Sequence, residues 1–484
     1  MFYNNIFMND NYGSIFGDKS INTDFNVTQT MFPLSINESL VKTVLDKASK
    51  EHKWVLIFVI GTKPCFYKFY GSIIAARKYD IPYIVINANQ HYDDNLTHGI
   101  KEFGIDVACD LNIRGGLLQK SSELLLKFDF LSKYFLKINN KAIVVPIVLG
   151  DTILTSIVPI AWMFSRNQKC IQNEAGLRGM SPKVLFDKNL DFENFFNGQV
   201  NSEWQLLRNE PFPEQWDTFV SAAGCEYLFA PLNINKDHLV REGHPVSNIF
   251  VTGGVVVDAL NLKLKEKPNK SIFELYPQLN DGEWIRVDIH RRGNLTLSRF
   301  KSIMDGIKLL VDGGFKVNFV EMNATKYAID NYGFNDFFNR LKLNNNFLST
   351  PVWSEYSNVI EFYKSKHCLT AFTDSGGVQE EMNLIGKPCL TCRFNTDRPE
   401  TVFDAKTNLL IPPISGDFIS GSVKYLLESG KINDLSKGKS IYGDNVGEKF
   451  ILGVKSLMDK NSRLFSWAHE ALGFESDDKS SGFL

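Results

Sequence analysis

Net charge is almost absent from this chain: 53 basic against 55 acidic side chains leave −2 over 484 residues. No global field draws nucleic acid or an anionic membrane surface, and neither is expected as a partner. Disulfide chemistry is scarce as well. Seven cysteines, an odd number spread along a long chain, fit reduced thiols and a cytoplasmic location. Cys389-Leu390-Thr391-Cys392 is a lone CxxC without a second pair. It reads as part of a buried strand, so no metal is implied. No basic segment leading into an apolar core opens the sequence, and no signal peptide is expected. An uninterrupted membrane span is missing too. Val144 to Phe164 is long enough to cross a bilayer, but Gly150-Asp151-Thr152 and Pro159 break it, and a mid-membrane aspartate is costly. Strand, polar turn and buried helix describe it better.

What is present is repetition of strand and helix. Residues 1–50 are rich in Asn, Ser and Asp and form an accessory N-terminal extension, with helical spacing only over Asn37 to Lys50. From Trp54 onward come short β-branched runs, WVLIFVI (54–60), YIVINA (83–88), AIVVPIVL (142–149) and YLFAP (227–231), with helical stretches between them. A second series follows: WIRVDI (284–289), FKVNFV (315–320), CLTAF (368–372) and PCLTC (388–392). Such alternation predicts parallel βαβ units with helices on both faces. The expected organisation is two doubly wound Rossmann-like domains, 51–255 with an insertion or loop at 179–210, and 256–455, facing a central cleft. A C-terminal helix and mobile tail would complete the chain over 456–484.

Polar clusters close the predicted strands. In Thr373-Asp374-Ser375-Gly376-Gly377-Val378-Gln379-Glu380-Glu381, a strand ends in a glycine turn that opens a helix, a ready anion site where free N–H groups and glycine admit a phosphate. Carboxylates one turn later suit ribose hydroxyls. An ordinary strand-to-helix turn accounts for the same residues. Gly61-Thr62-Lys63-Pro64 with Lys68 sets two lysines beside another glycine turn, suited to a diphosphate; lone surface lysines are the alternative. Gln90-His91 follows the second strand. Asp151 and Glu174 each follow a buried run, where a carboxylate caps a helix or performs chemistry. Capping explains Asp151 well and Glu174 poorly. Glu214, in Pro211-Phe212-Pro213-Glu214, is a third candidate acid, in a loop context that also fits solvent exposure. In Asp288-Ile289-His290-Arg291-Arg292, the histidine can move a proton and the arginines can stabilise a departing pyrophosphate.

Together these motifs resemble the non-hydrolysing UDP-N-acetylglucosamine 2-epimerases, over roughly residues 54 to 455. GTKPCFYK (61–68), NQH (89–91), LGDT (149–152), EAGLR (174–178), PFPE (211–214), HRR (290–292), DSGGVQEE (374–381), GKP (386–388) and TDRPE (396–400) follow in the family's order. The resemblance implies a two-domain fold like that of GT-B glycosyltransferases, a homodimer, and a reaction without cofactor. In that reaction UDP leaves carbon 1 of a UDP-sugar as the proton on carbon 2 is removed, and re-adds to the glycal with the proton on the opposite face. It places Lys68, Asp151, Glu174, Glu214 and His290 on catalytic positions. It places Lys63, Arg178, Arg291, Ser375, Gly376, Gly377, Glu381 and Arg398 around the UDP-sugar, and Gln90 and His91 at a second site.

Departures from the pattern bear on substrate and regulation. Lys63 stands where the family has arginine, Cys65 where it has glutamate, Asp217-Thr218 where it has Asn-Arg, and Glu321 where it has histidine. The allosteric Arg-Gln pair has no counterpart near Arg114 to Gln119, and Asp93 replaces a further glutamine, so activation by substrate is expected to be weakened. The hydrolysing sister enzymes carry GDR and HGGE where this chain has GDT and NEAG, which favours the non-hydrolysing branch. A GT-B glycosyltransferase and a catalytically silent nucleotide-sugar sensor are the readings from other classes. The carboxylate set argues against the first and its completeness against the second.

Overall fold

The strands of the second half show why the chain folds as it does. Trp284–Asp288, Lys316–Glu321 and Cys368–Thr373 are short runs with apolar residues at most of their inner positions, each followed by a helix, and a strand–helix–strand path closes as a parallel pair. The computed structural model describes residues 34–88, 103–187 and 190–465. In chain order its strands are β1 (Ser35–Ile36), β2 (Trp54–Ile60), β3 (Tyr83–Asn87), β4 (Cys109–Asp110), β5 (Ile143–Leu149), β6 (Cys170–Asn173), β7 (Met180–Pro182) and β8 (Trp204–Leu206). They continue as β9 (Cys225–Ala230), β10 (Ile249–Val251), β11 (Trp284–Asp288), β12 (Lys316–Glu321), β13 (Phe347–Pro351), β14 (Cys368–Thr373), β15 (Cys389–Thr391) and β16 (Asn408–Leu410).

Two compact units result. The first comprises residues up to Gly176, Asp217–Val255 and the chain from Asn445 onward. Its eight-stranded sheet has the order β1-β4-β3-β2-β5-β6-β9-β10, parallel except for β1. Every residue of β2 is buried, as the covering helices on both faces require. The second unit comprises Leu177–Trp216 and Val256–Asp444, with an all-parallel six-stranded sheet, β13-β12-β11-β14-β15-β16. Among the described residues, no helix is long and apolar enough to cross a membrane.

Three segments differ from the expected division. The helix Glu38–Glu51, capped by Asn37, buries Val41, Leu45 and Ala48 completely in the first unit's core, so the described part of the extension is integral to that unit. Residues 179–210 are neither loop nor part of the first unit. They form the β7–β8 hairpin and the helix Phe192–Asn201, whose Phe195 and Phe196 enter the core of the second unit. The terminal helix begins earlier, at Val446, and ends at Asp459. After β12 the chain forms two short helices, Asn323–Asn331 and Asn335–Leu341, because Gly333 takes a positive φ of 71° between them.

Candidate active site

In the first unit the order β2-β5-β6 places the turns after three adjacent parallel strands side by side. Lys68, on the second turn of the helix Lys63–Lys78, donates to both carboxylate oxygens of Glu174 at 2.8 Å. Glu174 is completely buried and sits at φ +60°, a left-handed conformation that a non-glycine residue adopts at a cost of about 1–3 kcal/mol. Gly150, after β5, makes room for it. A Cβ there would lie 2.6 Å from Glu174 Oε2, and its φ of +72° also favours glycine. The Gly150 N–H donates to the Asn173 carbonyl at 3.2 Å, which joins the turn carrying half-buried Asp151 to the strand carrying Glu174. Beyond the glutamate, the Gly176 carbonyl accepts from Asn235 Nδ2 at 3.4 Å and meets His238 Nδ1 at 3.0 Å. Asp217, one of the departures from the family pattern, is buried and accepts from Ser156 Oγ at 2.6 Å. That gives it a structural partner inside the first unit.

The second unit presents a different constellation. Ser375 caps the helix Gly376–Ile385, its hydroxyl accepting from the Val378 N–H. The two glycines have separate reasons. A Cβ on Gly376 would stand 2.8 Å from Asp397 Oδ2, whereas one on Gly377 would have only Ser375 Oγ near, at 3.9 Å. Packing therefore demands the first glycine, and the second keeps open space beside a helix N-terminus. Asp374, fully buried, accepts from the His290 N–H (3.0 Å), the Arg291 N–H (2.9 Å) and Asn294 Nδ2 (3.0 Å), fastening the turn after β11 to the turn after β14.

His290 Nδ1 lies 3.0 Å from Asp288 Oδ1 and 3.3 Å from Asp374 Oδ1. Burial opposes charge on the ring, but the two carboxylates outweigh it and raise its pKa above the usual histidine value, while Asp288 is held below the usual carboxylate range. Nδ1 is thereby committed and Nε2 is the ring's remaining donor. These three residues also have the spacing of a metal site. However, the N–H donors already converging on Asp374 would face a cation, so the geometry suits an imidazolium better than a metal ion.

Around this turn, Arg291 pairs with Glu214, the first residue of the helix Glu214–Ala223. Glu381 accepts from Tyr356 Oη at 2.8 Å, both side chains being buried. Arg398 is buried in an ion pair with Glu380 and at 3.0 Å from Asp397, which also takes Arg393 at 2.8 Å. Despite burial, those guanidinium groups keep the Asp397 carboxyl far below its ordinary value. Glu400 goes the other way: burial pushes it up to about 7, and Tyr442 Oη donates to it at 2.8 Å.

The structure therefore brings Lys68, Asp151 and Glu174 to neighbouring turns of the first unit, and His290, Arg291 and Glu214 together in the second. Arg178 is buried and donates to its own neighbour's carbonyl, Leu177, at 2.7 Å. Lys63 opens its helix, and Gln90 and His91 lie outside the described residues. Sequence reasoning did not single out Asn294, Asn235 or His238, which hold the site turns from far along the chain; a histidine inside an amphipathic helix leaves no local sign of that task.

Two doubly wound sheets, with a lysine–carboxylate cluster on one and an aspartate-paired histidine beside a glycine-opened helix on the other, define an α/β enzyme acting on a nucleotide-linked substrate. The UDP-N-acetylglucosamine 2-epimerase family model matches residues 208–454, about half of the chain, and the chain belongs to that family of isomerases. A UDP-N-acetylglucosamine 2-epimerase of Methanocaldococcus jannaschii is 29% identical over 367 residues, covering 74% of this chain and 88% of the relative. That of Salmonella borreze is 27% identical over 412 residues, 82% and 97% of the two chains. Among solved structures, the M. jannaschii UDP-GlcNAc 2-epimerase in complex with UDP-GlcNAc and UDP superposes with a TM-score of 0.66 at 25% identity, covering 83% of this chain and 99% of that one. The Neisseria meningitidis enzyme bound to UDP-GlcNAc gives 0.68 at 23% identity, covering 84% and 100%.

Proposed function

We propose that this enzyme interconverts UDP-GlcNAc and UDP-ManNAc at carbon 2 by eliminating and re-adding UDP, without hydrolysis. The observation that carries the reading is Glu174: a buried carboxylate in a strained backbone, fixed by Lys68, beside the turn of Asp151. Carboxylates in such surroundings serve as general acid and base. In the elimination, a carboxylate takes the carbon-2 proton and the carbon 1–oxygen bond breaks with its electron pair leaving on UDP, giving the glycal. Re-addition delivers a proton to the opposite face of carbon 2 and reforms the bond to carbon 1. The His290 imidazolium, Arg291, Lys63 and the N–H groups at Ser375, Gly376 and Gly377 would carry the diphosphate charge that grows as UDP departs, and Glu381 would hold the ribose. Lys68, Asp151, Glu174 and Glu214 would share the proton transfers. The GDT and NEAG motifs support the non-hydrolysing outcome. The homodimer and the cytoplasmic location belong to this reading on the resemblance alone.

Proton NMR with UDP-GlcNAc in deuterated water tests it. Loss of the carbon-2 proton signal together with a new UDP-ManNAc anomeric signal is the expected result. Free ManNAc would replace the reading with a hydrolysing epimerase, and no exchange at carbon 2 would end it.

A further inference from the structure

The segment Leu177–Trp216 is seated on the second unit by bonds at both of its ends. Met180 and Thr396 exchange backbone hydrogen bonds, each 2.8 Å, and Ser181 Oγ donates to the Phe394 carbonyl at 2.8 Å. The side-chain amide of Gln199 completes the open edge of β16, donating to the Leu410 carbonyl at 2.8 Å and accepting from its N–H at 2.7 Å. Asn395 Nδ2 donates to Glu210 Oε2 at 2.9 Å. Where the segment returns toward Glu214 it walls a pocket of about 260 Å³. Phe212 and Phe394 line that pocket together with Arg292, Arg299 and Asn395. Arg299 lies over the Phe394 ring, 4.9 Å from its centroid. Phe212 is 64% exposed.

Apolar ring faces combined with fixed polar groups at the edges match a pyranose, whose C–H faces are apolar and whose rim is hydroxylated. We propose that the segment Leu177–Trp216 contributes one wall of a sugar-ring subsite in which Phe212 and Phe394 form the aromatic walls and Asn395, Arg292 and Arg299 the polar rim. This rests on the nucleotide-sugar reading above and adds the residues that discriminate the sugar. Arg291 and Glu214 also line this pocket, whereas in the reading above the ribose falls to Glu381 and much of the diphosphate to the helix start at Ser375–Gly377, so loss of an aromatic wall is expected to change sugar affinity more than UDP affinity.

The test is Phe212→Ala and Phe212→Trp in the full chain, measured by steady-state epimerisation of UDP-GlcNAc and by calorimetric titration with UDP. Phe212→Ala is expected to raise KM for UDP-GlcNAc about three- to tenfold while the Kd for UDP stays within about twofold, and Phe212→Trp is expected to restore KM. Because Phe212 is exposed, the melting temperature should not move. An unchanged KM, or KM and the UDP Kd rising in step, would overturn the subsite while leaving the epimerase reading intact. Wild-type protein that binds neither UDP nor UDP-GlcNAc would overturn both.

Discussion

The two units present their site residues by opposite means. In the first, the critical carboxylate is held by a side-chain ion pair and a strained backbone: Glu174 at φ +60°, clasped by Lys68 and accommodated by the missing Cβ of Gly150. In the second, backbone amides and a helix terminus do most of the holding, with Asp374 collecting the N–H groups of two successive residues. In the proposed reaction the difference would match two tasks. Proton transfer at a carbon needs a carboxylate fixed in direction and protected from water, whereas a phosphate is satisfied by several N–H groups in a rigid arc. Disturbing the first unit should therefore cost turnover with little change in UDP affinity, and disturbing the second should do the reverse.

The largest effect is expected at Glu174. Glu174→Gln keeps the shape but removes one of the carboxylates proposed to share the proton transfers, and kcat is expected to fall by about a thousandfold while UDP binding is unchanged. Equal losses in both would erase the contrast between the units. Lys68→Met leaves Glu174 buried without its cation, and chemical denaturation should show a loss of about 3–5 kcal/mol. In the second unit, Gly377→Val introduces a side chain into open space, so the melting temperature should hold while the UDP Kd rises at least about tenfold. Gly376→Ala, by contrast, drives a Cβ toward Asp397 and should lower the melting temperature.

Two smaller effects depend on pH. The folded state raises the pKa of His290, so the stabilisation from its proton is complete below the unfolded value of about 6.5 and is lost as pH rises through the folded value. Wild-type stability and UDP affinity should decline above about pH 6.5 more steeply than in His290→Gln, measured by melting and titration from pH 6 to 9. Glu400 is raised to about 7, so the native protein favours its neutral form, and stability falls as pH climbs from about 4.5 through 7. Glu400→Gln removes that loss. It should match wild type near pH 4 and exceed it by up to about 3 kcal/mol at pH 8.

The strands with β-branched runs were legible because burial on both faces forces that composition: Trp54–Ile60 has the bounds its pattern predicts. Short strands were not. Cys109–Asp110 and Asn408–Leu410 carry too few residues for a period, and Met180–Pro182 becomes a strand only through its partners at Trp204–Leu206 and Thr396. Arg286, in the middle of a buried strand, contradicts the apolar pattern; it stacks 3.7 Å over the centroid of Trp353 and donates from Nη1 to Asn318 Oδ1 at 2.8 Å. Candidate site residues showed themselves as polar groups ending apolar runs. Their supports stayed hidden because Asn294 to Asp374, or His238 to Gly176, are contacts across sixty or more residues and imprint no local spacing.

The helix Val446–Asp459 belongs to the first unit, where Gly447 meets the backbone of Gly71 so closely that a Cβ would stand 2.1 Å from its carbonyl carbon. On the ribosome, the first unit's other described strands and helices are complete by Val255, but this helix is synthesised roughly 190 residues later, on the order of 10 to 40 s at ordinary rates. The second unit, nested between, can finish first. During that interval the nascent first unit exposes the apolar groove meant for the helix Val446–Asp459, so chaperone demand should concentrate on chains stalled before residue 446.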